Sequence, residues 1–262
     1  MGGTGKTPIT EWLVRKLKGK YRLATLSRGY KRRTKGFAIA DERTTALEIG
    51  DEPMQFHLKF PDVTVAVGEE RIVAIPQILH QRPDTEVIIL DDAFQHRMVR
   101  AGFNIVLTEY NNLFTRDLPF PAGDLRDIKS SSKRANVIVV TKCPEKLSSH
   151  EAAKIKKELS KISTQECYFT SIVYGKPYHL YSGASYEISE STEPLLVCGI
   201  ANPRPLKEYL NARVKTYDML RYKDHHIFNS LDLKEIVSHF EKINTKDKII
   251  LTTEKDAVRL LK

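Results

Sequence analysis

Met1-Gly2-Gly3-Thr4-Gly5-Lys6-Thr7-Pro8 has the residue types of a loop that cradles phosphate. A glycine-rich turn running into a helix leaves several backbone N–H groups unpaired and aimed at one spot, and the helix dipole adds partial positive charge there. A polyphosphate such as that of ATP can settle in such a cradle. Gly2, Gly3, Thr4 and Gly5 would supply main-chain donors, Lys6 would reach the β- and γ-phosphates, and the Thr7 hydroxyl would help hold Mg²⁺. An ordinary glycine-rich turn is the plain alternative, because short Gly-Lys-Thr matches arise by chance. The residues that follow favour the cradle. Ile9, Trp12, Leu13 and Leu17 fall on one helical face, so a helix is expected over 8–18, where the loop requires one. In the full G-x-x-x-x-G-K-[ST] pattern the first glycine, and the buried strand that delivers the loop, would precede residue 1. A cut at the N-terminus is therefore expected.

Val87-Ile88-Ile89-Leu90-Asp91-Asp92 is an apolar strand ending in two carboxylates. Beside a phosphate loop, an acid at such a strand end contacts Mg²⁺ directly or through water. Side chains alternate along a strand, so one of Asp91 and Asp92 is expected to touch the metal. A turn cap is the structural alternative.

These groups need a scaffold, and the chain has one. Apolar β-rich runs at 22–27, 63–67, 87–90, 103–108 and 137–141 alternate with helical patterns at 8–18, 70–80 and 150–160. That order implies an α/β fold with a mostly parallel sheet covered by helices on both faces. Near residue 170 the texture turns rich in Tyr, Gly and Pro, and a second set follows: strands at 195–199, 214–219 and 248–252, helices at 206–210 and 232–242. The expected organisation is a phosphate-loop core over 1–170 and a smaller α/β domain over 171–262.

With 262 residues, 41% hydrophobic and 29% charged, the chain is globular rather than disordered. No apolar run approaches the roughly 20 residues that span a bilayer. The net charge of +9, concentrated at 15–20 and 28–35, favours anionic partners: phosphates, an acidic membrane surface or nucleic acid. No nucleic-acid-binding module matches, so nucleic acid is not expected as a partner. Cys143, Cys167 and Cys198 are odd in number and widely spaced, which fits a reducing compartment rather than a disulfide framework or zinc site.

Asp91-Asp92-Ala93-Phe94-Gln95-His96 joins the phosphate loop, Ser27-Arg28-Gly29-Tyr30 and Gly50-Asp51-Glu52-Pro53 in a set that resembles the tetraacyldisaccharide 4'-kinase family of lipid A biosynthesis. Pro121-Ala122-Gly123-Asp124-Leu125-Arg126, Asp224-His225-His226 and Thr253-Glu254-Lys255-Asp256-Ala257-Val258 are similar to that family too, in the right order. The resemblance implies a P-loop NTPase-like fold. It also implies transfer of the ATP γ-phosphate to the 4'-hydroxyl of tetraacyldisaccharide 1-phosphate, with Mg²⁺, giving lipid IVA. The expected partners are an anionic glycolipid and the cytoplasmic face of the bacterial inner membrane, with no obligate protein partner. Family members begin upstream with a membrane-associating helix and the strand feeding the loop, and a shortened C-terminal tail is expected as well. Ala93 stands where the family has Gly, a costly change if that position needs φ > 0.

By the same resemblance Asp51 is the candidate base for the acceptor hydroxyl and His225 the partner that orients it. Read structurally, Asp51-Glu52-Pro53 is a helix cap. Asp51 and His225 are far apart in sequence and expected in different domains, so closure of the two would assemble the site and exclude water. Arg126 is the candidate for the charge on the transferring phosphoryl group, with Asp127 beside it as its support. Gln95 and His96 have phosphate contact, a link between the two sites and packing as alternatives. Arg71 has a surface salt bridge, the same phosphoryl contact as Arg126 or an anchor for the substrate's 1-phosphate as its alternatives. Ser27, Arg28, Tyr30 and Glu52 complete the expected substrate-binding set. Adjacent histidines at 225 and 226 lack the further ligands a zinc site requires. The competing reading is an ATPase switch of the partitioning or membrane-localising type, whose signature Lys would occupy position 1, where this chain has Met. A GTPase is a third reading, but Pro144 stands where a guanine-reading T-K-x-D carries its acid.

Overall fold

The computed structural model describes residues 3–260. The chain runs through α1 (Lys6–Leu17), β1 (Leu23–Ser27), β2 (Ala38–Ile39), α2 (Ala46–Ile49), α3 (Asp51–Lys59) and β3 (Thr64–Val67). It continues with α4 (Arg71–Gln81), β4 (Val87–Leu90), β5 (Ile105–Glu109), β6 (Val137–Cys143), α5 (Ser149–Ser160) and β7 (Glu166–Ser171). β8 (Glu193–Cys198), α6 (Arg204–Asn211), β9 (Asp218–Arg221), α7 (Ser230–Glu241), β10 (Lys248–Thr252) and α8 (Glu254–Leu260) follow.

Two compact units emerge. The first holds the residues up to Arg28 together with Lys35–Ala40 and Phe60–Val173; the second holds Gly29–Thr34, Asp41–Lys59 and the residues from Tyr174 onward. A single cut near residue 170 is therefore too simple, because α2 and α3 belong with the later elements. The reason is packing. α3 is tied to α8 by a Gln55–Glu254 hydrogen bond of 2.7 Å and by the Lys59–Glu254 and Asp51–Arg259 ion pairs.

In the first unit, β2-β3-β1-β4 form a sheet in which only β2 is antiparallel, and β5-β6-β7 form a separate parallel sheet. The single sheet expected here is thus two among the described residues, with β4 and β5 as edge strands. Each sheet has its own core. Ala24, Leu26 and Ala66 of the first pack on Ala74 and Ile78 of α4, while Ile138 and Val140 of β6 pack on Ile155 and Leu159 of α5. The near-continuous apolar runs of β1 and β6 follow from burial on both faces.

The second unit is built on the parallel sheet β10-β8-β9. Central β8 divides its side chains between two layers. Leu195 and Val197 pack with Phe228, Ile236 and Ile243, and Leu196 and Cys198 pack with Leu206, Leu210 and Val214. The strand expected over 214–219 begins only at Asp218. Val214 is used up in closing α6: its N–H donates to Leu210 O at 3.0 Å and its side chain is buried. Leu195 is fully buried in this layer. Leu195→Ala is expected to destabilise the second unit by about 2–5 kcal/mol, read as a lower urea midpoint with the first unit's core unchanged.

Candidate active site

In the first unit the chain enters α1 through two glycines in the left-handed region, Gly3 at φ 96° and Gly5 at φ 84°. Gly5 is the N-cap of α1, and no side chain caps the helix or places an acid in its first turn. A helix start without an acid or a capping side chain is the kind of place where an anion is favoured. A Cβ at Gly5 would only touch Thr141 at 3.6 Å, so backbone conformation rather than space demands glycine there. The Thr141 hydroxyl at the end of β6 donates to Thr4 O at 2.9 Å and is shared with Thr108 O at 3.2 Å, which fixes the loop to the sheet. Thr7 is the second residue of the helix. Gly2 lies outside the described residues.

Asp91 and Asp92 follow β4. The backbone N–H of Asp91 continues the ladder to Leu26 O at 2.9 Å, while Asp92 turns out with φ 50°. The positive φ in this motif therefore falls on Asp92 and not on Ala93, so the Gly-to-Ala change carries no backbone strain. Asp92 meets both expected phosphate-binding cations: Lys6 Nζ at 3.7 Å and Arg126 Nη1 at 2.9 Å. Burial pushes the Asp92 carboxyl up, but the Arg126 hydrogen bond and the charges of Lys6 and Arg126 hold it below its ordinary value.

Several expectations for this unit need correction. Arg71 is not a surface residue: it is 1% exposed. Its guanidinium donates to the carbonyls of Gly68, Glu69 and Asp91, and so braces the turn that carries the acids rather than facing an acceptor. Asp127 does not support Arg126; it accepts from Arg134 Nη2 at 3.0 Å. His96 is half-buried, and burial followed by the charges of Arg71 and Arg28 pushes it below its ordinary value, which keeps it neutral near pH 7. Gln95 and Arg28 are exposed, and Ser27 closes β1 with its carbonyl accepting from Gly68 N.

The second unit carries a different arrangement. Asp51 opens α3 and is buried, with Oδ2 2.8 Å from Nδ1 of His225. These two residues were expected in different domains; both belong to the second unit, and no closure is needed to bring them together. Arg259 of α8 grips the same carboxylate as a fork, Nε to Oδ1 at 2.8 Å and Nη2 to Oδ2. Burial pushes the Asp51 carboxyl up, but the Arg259 hydrogen bonds and charge, with His225, hold it below the ordinary range. His225 sits at φ 63°, with the Tyr30 ring edge-on at 5.6 Å. Lys255 Nζ lies 3.3 Å from His225 Nε2, 3.4 Å from Asp224 and 3.5 Å from Glu52.

The family model for LpxK, tetraacyldisaccharide-1-P 4'-kinase, matches residues 1–262. The chain belongs to that family. It is 47% identical to a tetraacyldisaccharide 4'-kinase of Flavobacterium johnsoniae, covering 99% of this chain and 75% of the relative. It is 43% identical to one of Bacteroides thetaiotaomicron, covering 100% and 72%. Among solved structures, the "apo" form of LpxK from Aquifex aeolicus in complex with ATP superposes with a TM-score of 0.72 at 25% identity, over 99% of this chain and 76% of that one. The α/β, P-loop class of the family is thus the class of this chain. No helix among the described residues is long and apolar enough to cross a membrane.

Within the family motifs, sequence reasoning missed Lys255 and Arg259. Thr253-Glu254-Lys255-Asp256-Ala257-Val258 drew attention as a segment, but it stops one residue short of Arg259 and does not show what its charges face. The available signal was an acid and an arginine three apart on a helix, the spacing of side chains on one face. Because Asp51 is depressed, the stability it contributes is full above about pH 4 and lost as the pH falls through its lower folded value. Asp51→Asn is expected to unfold at lower denaturant than the native chain at pH 7. That gap should narrow by pH 3, as paired denaturation curves would show.

Proposed function

We propose that this chain is an ATP-dependent kinase that phosphorylates the 4'-hydroxyl of tetraacyldisaccharide 1-phosphate to form lipid IVA. The observation that carries the reading is the pairing of Asp51 with His225, together with a phosphate loop whose Lys6 converges with Arg126 on Asp92. The family match over the whole chain supplies the reaction and the acceptor. The first unit would supply the nucleotide side. Gly3, Thr4 and Gly5 would cradle ATP, the ligand of the related Aquifex aeolicus structure, and Gly2 would extend the cradle. Lys6 and Arg126 would neutralise the phosphoryl group in flight.

Mg²⁺ fits the donors present. Thr7, Asp91 and Asp92 offer hard oxygen atoms, and no group of three or more His, Cys, Asp or Glu among the described residues is placed to hold a metal by protein alone. Magnesium retains water and phosphate ligands, so a sparse carboxylate set suits it. Thr7, Asp91 and Asp92 would hold it, and it would supply positive charge against that of the phosphates. Lys6 and Arg126 already hold Asp92 ionised for that role.

The second unit would supply the acceptor side. A sugar hydroxyl is a weak nucleophile at neutral pH, and the Asp51–His225 pair would take its proton as the new P–O bond forms. Ser27, Arg28, Tyr30, Glu52, Gln95 and His96 remain candidates for holding the glycolipid. The net +9 of the chain suits both that anionic lipid and the anionic cytoplasmic face of the inner membrane.

Transfer of labelled γ-phosphate from Mg-ATP to tetraacyldisaccharide 1-phosphate is the direct test. Lys6→Ala is expected to lower transfer by at least about a hundredfold, consistent with loss of a major electrostatic contact. Chelation of Mg²⁺ should abolish it. ATP binding without lipid labelling by the unaltered chain would overturn the kinase reading.

A further inference from the structure

Leu118-Pro119-Phe120-Pro121-Ala122 is an unbroken apolar run in the first unit, and every residue of it is exposed. Phe120 is 81% exposed and Leu118 53%. Single apolar side chains on a surface need no explanation, but a contiguous run does. The run is also held in shape. Phe120 N donates to Leu125 O at 2.9 Å, Leu125 N to Leu118 O at 3.0 Å and Ala122 N to Pro119 O at 3.1 Å. At the base of the turn Asp117 Oδ1 accepts from Leu118 N at 2.7 Å and from Asp124 N at 3.2 Å. Leu125 is buried, and a Cβ at Gly123 would collide with Asp117 Oδ1 and Leu118 O, so the turn closes only around glycine.

This bonding leaves the tip with no backbone N–H to satisfy. Leu118, Phe120 and Ala122 donate within the turn, and Pro119 and Pro121 have no N–H. A segment entering an apolar medium has to meet its backbone donors internally, because nothing there accepts from them. A protein partner that paired as an added strand would instead need free donors. The surroundings of the tip are basic. The Arg134 guanidinium lies 4.2 Å over the Phe94 ring, donates to Phe94 O at 2.9 Å and pairs with Asp127 at 3.0 Å. These contacts join the loop after β4 to the loop after β5. The first exposes Arg97, Met98 and Arg100, and the second exposes Ile128 and Lys133.

An apolar tip among exposed cations is the make-up of a segment that lies in the interface of an anionic bilayer, with apolar side chains at the acyl boundary and charges among the headgroups. Resting on the kinase reading, we propose that residues 118–122 are the tip by which the first unit dips into an anionic membrane surface, with Phe120 deepest. The tip is continuous with the phosphate-binding side of the unit. Arg126 directly follows buried Leu125 and pairs with Asp92 at 2.9 Å, and Lys6 lies 3.7 Å from the same carboxylate. Bilayer contact at 118–122 therefore holds these groups close to the headgroup layer. An acceptor with acyl chains stays in that layer, so the enzyme has to reach its hydroxyl there.

The test uses the full chain carrying Trp12→Phe and Phe120→Trp, so that the tip holds the sole indole. On vesicles of phosphatidylcholine with phosphatidylglycerol its emission should move to the blue and be quenched by lipids brominated near the top of the acyl chain. Phosphatidylcholine alone, or high salt, should weaken both effects, since the cations then lose their partners. Phe120→Ser should weaken binding to the anionic vesicles at least about tenfold, from the apolar area a phenylalanine buries. It should raise KM for tetraacyldisaccharide 1-phosphate presented in those vesicles, leaving kcat, KM for ATP and transfer to a short-chain, water-soluble analogue unchanged. A merely structural role would instead lower the melting temperature and the activity on both acceptors. An indole emission unmoved by anionic vesicles, or Phe120→Ser bound to them as tightly as the unaltered chain, would overturn the proposal. So would a concentration-dependent dimer that buries the indole without lipid, which would make a second copy the cover. Failure of the kinase reading itself would appear separately, as a chain that binds vesicles through the tip and labels no lipid.

Discussion

The second unit depends on a buried charge network that has to be complete to be tolerable. Taking a guanidinium and two carboxylates out of water costs several kcal/mol per ion unless each is paired and hydrogen-bonded. Here Asp51, Arg259 and Asp256 satisfy one another, and Gly199 N and the Thr253 hydroxyl satisfy the remaining face of Asp256. Four stretches of chain are fixed by this network: the start of α3, the loop after β8, the turn after β10, and α8. The histidine after β9 joins through Asp51. A network of this kind stores little net stability, but it admits few alternative arrangements, which suits a site whose atoms must stay within tenths of an ångström.

Each unit places polar groups at the C-terminal ends of parallel strands. In the first unit Ser27, Asp91 and Thr141 lie at or just past the ends of β1, β4 and β6. In the second, Gly199, His225 and the start of α8 follow β8, β9 and β10. Parallel strands share a direction, so their C-terminal loops cluster, and helices that start there aim N–H groups at whatever binds. The apolar strand interiors bury the cores, and the chemistry is left to the loops.

The two units treat charge differently. In the first, Lys6 and Arg126 surround a carboxylate that is still 39% exposed, so solvent screens the pairs and their worth lies in preorganising cations rather than in stability. In the second, the ions are sealed, and their effect is to set protonation and orientation. In the proposed function, the loop would have to admit a large, mobile, charged ligand, whereas the proposed proton-accepting pair would have to hold two atoms in fixed register.

Much of this was legible in the residues themselves. The turn of Gly3-Thr4-Gly5 into an amphipathic helix, the apolar strand ending at Asp91-Asp92, and the alternation of strands and helices are local patterns, and local sterics and periodicity decide them wherever the chain lies. The class of fold and the family follow from such patterns in order. Only the tertiary structure decided which distant charges meet. Arg71 read as a surface cation and is buried under the acid-bearing turn; Asp127 pairs with Arg134 and not with its neighbour; α3 leaves the first unit for α8; and Arg259 reaches Asp51 across more than two hundred positions. A salt bridge between distant segments has no periodicity and no sequence spacing to announce it. Its partners are chosen by where the core of each unit brings the chain, and that is a property of packing.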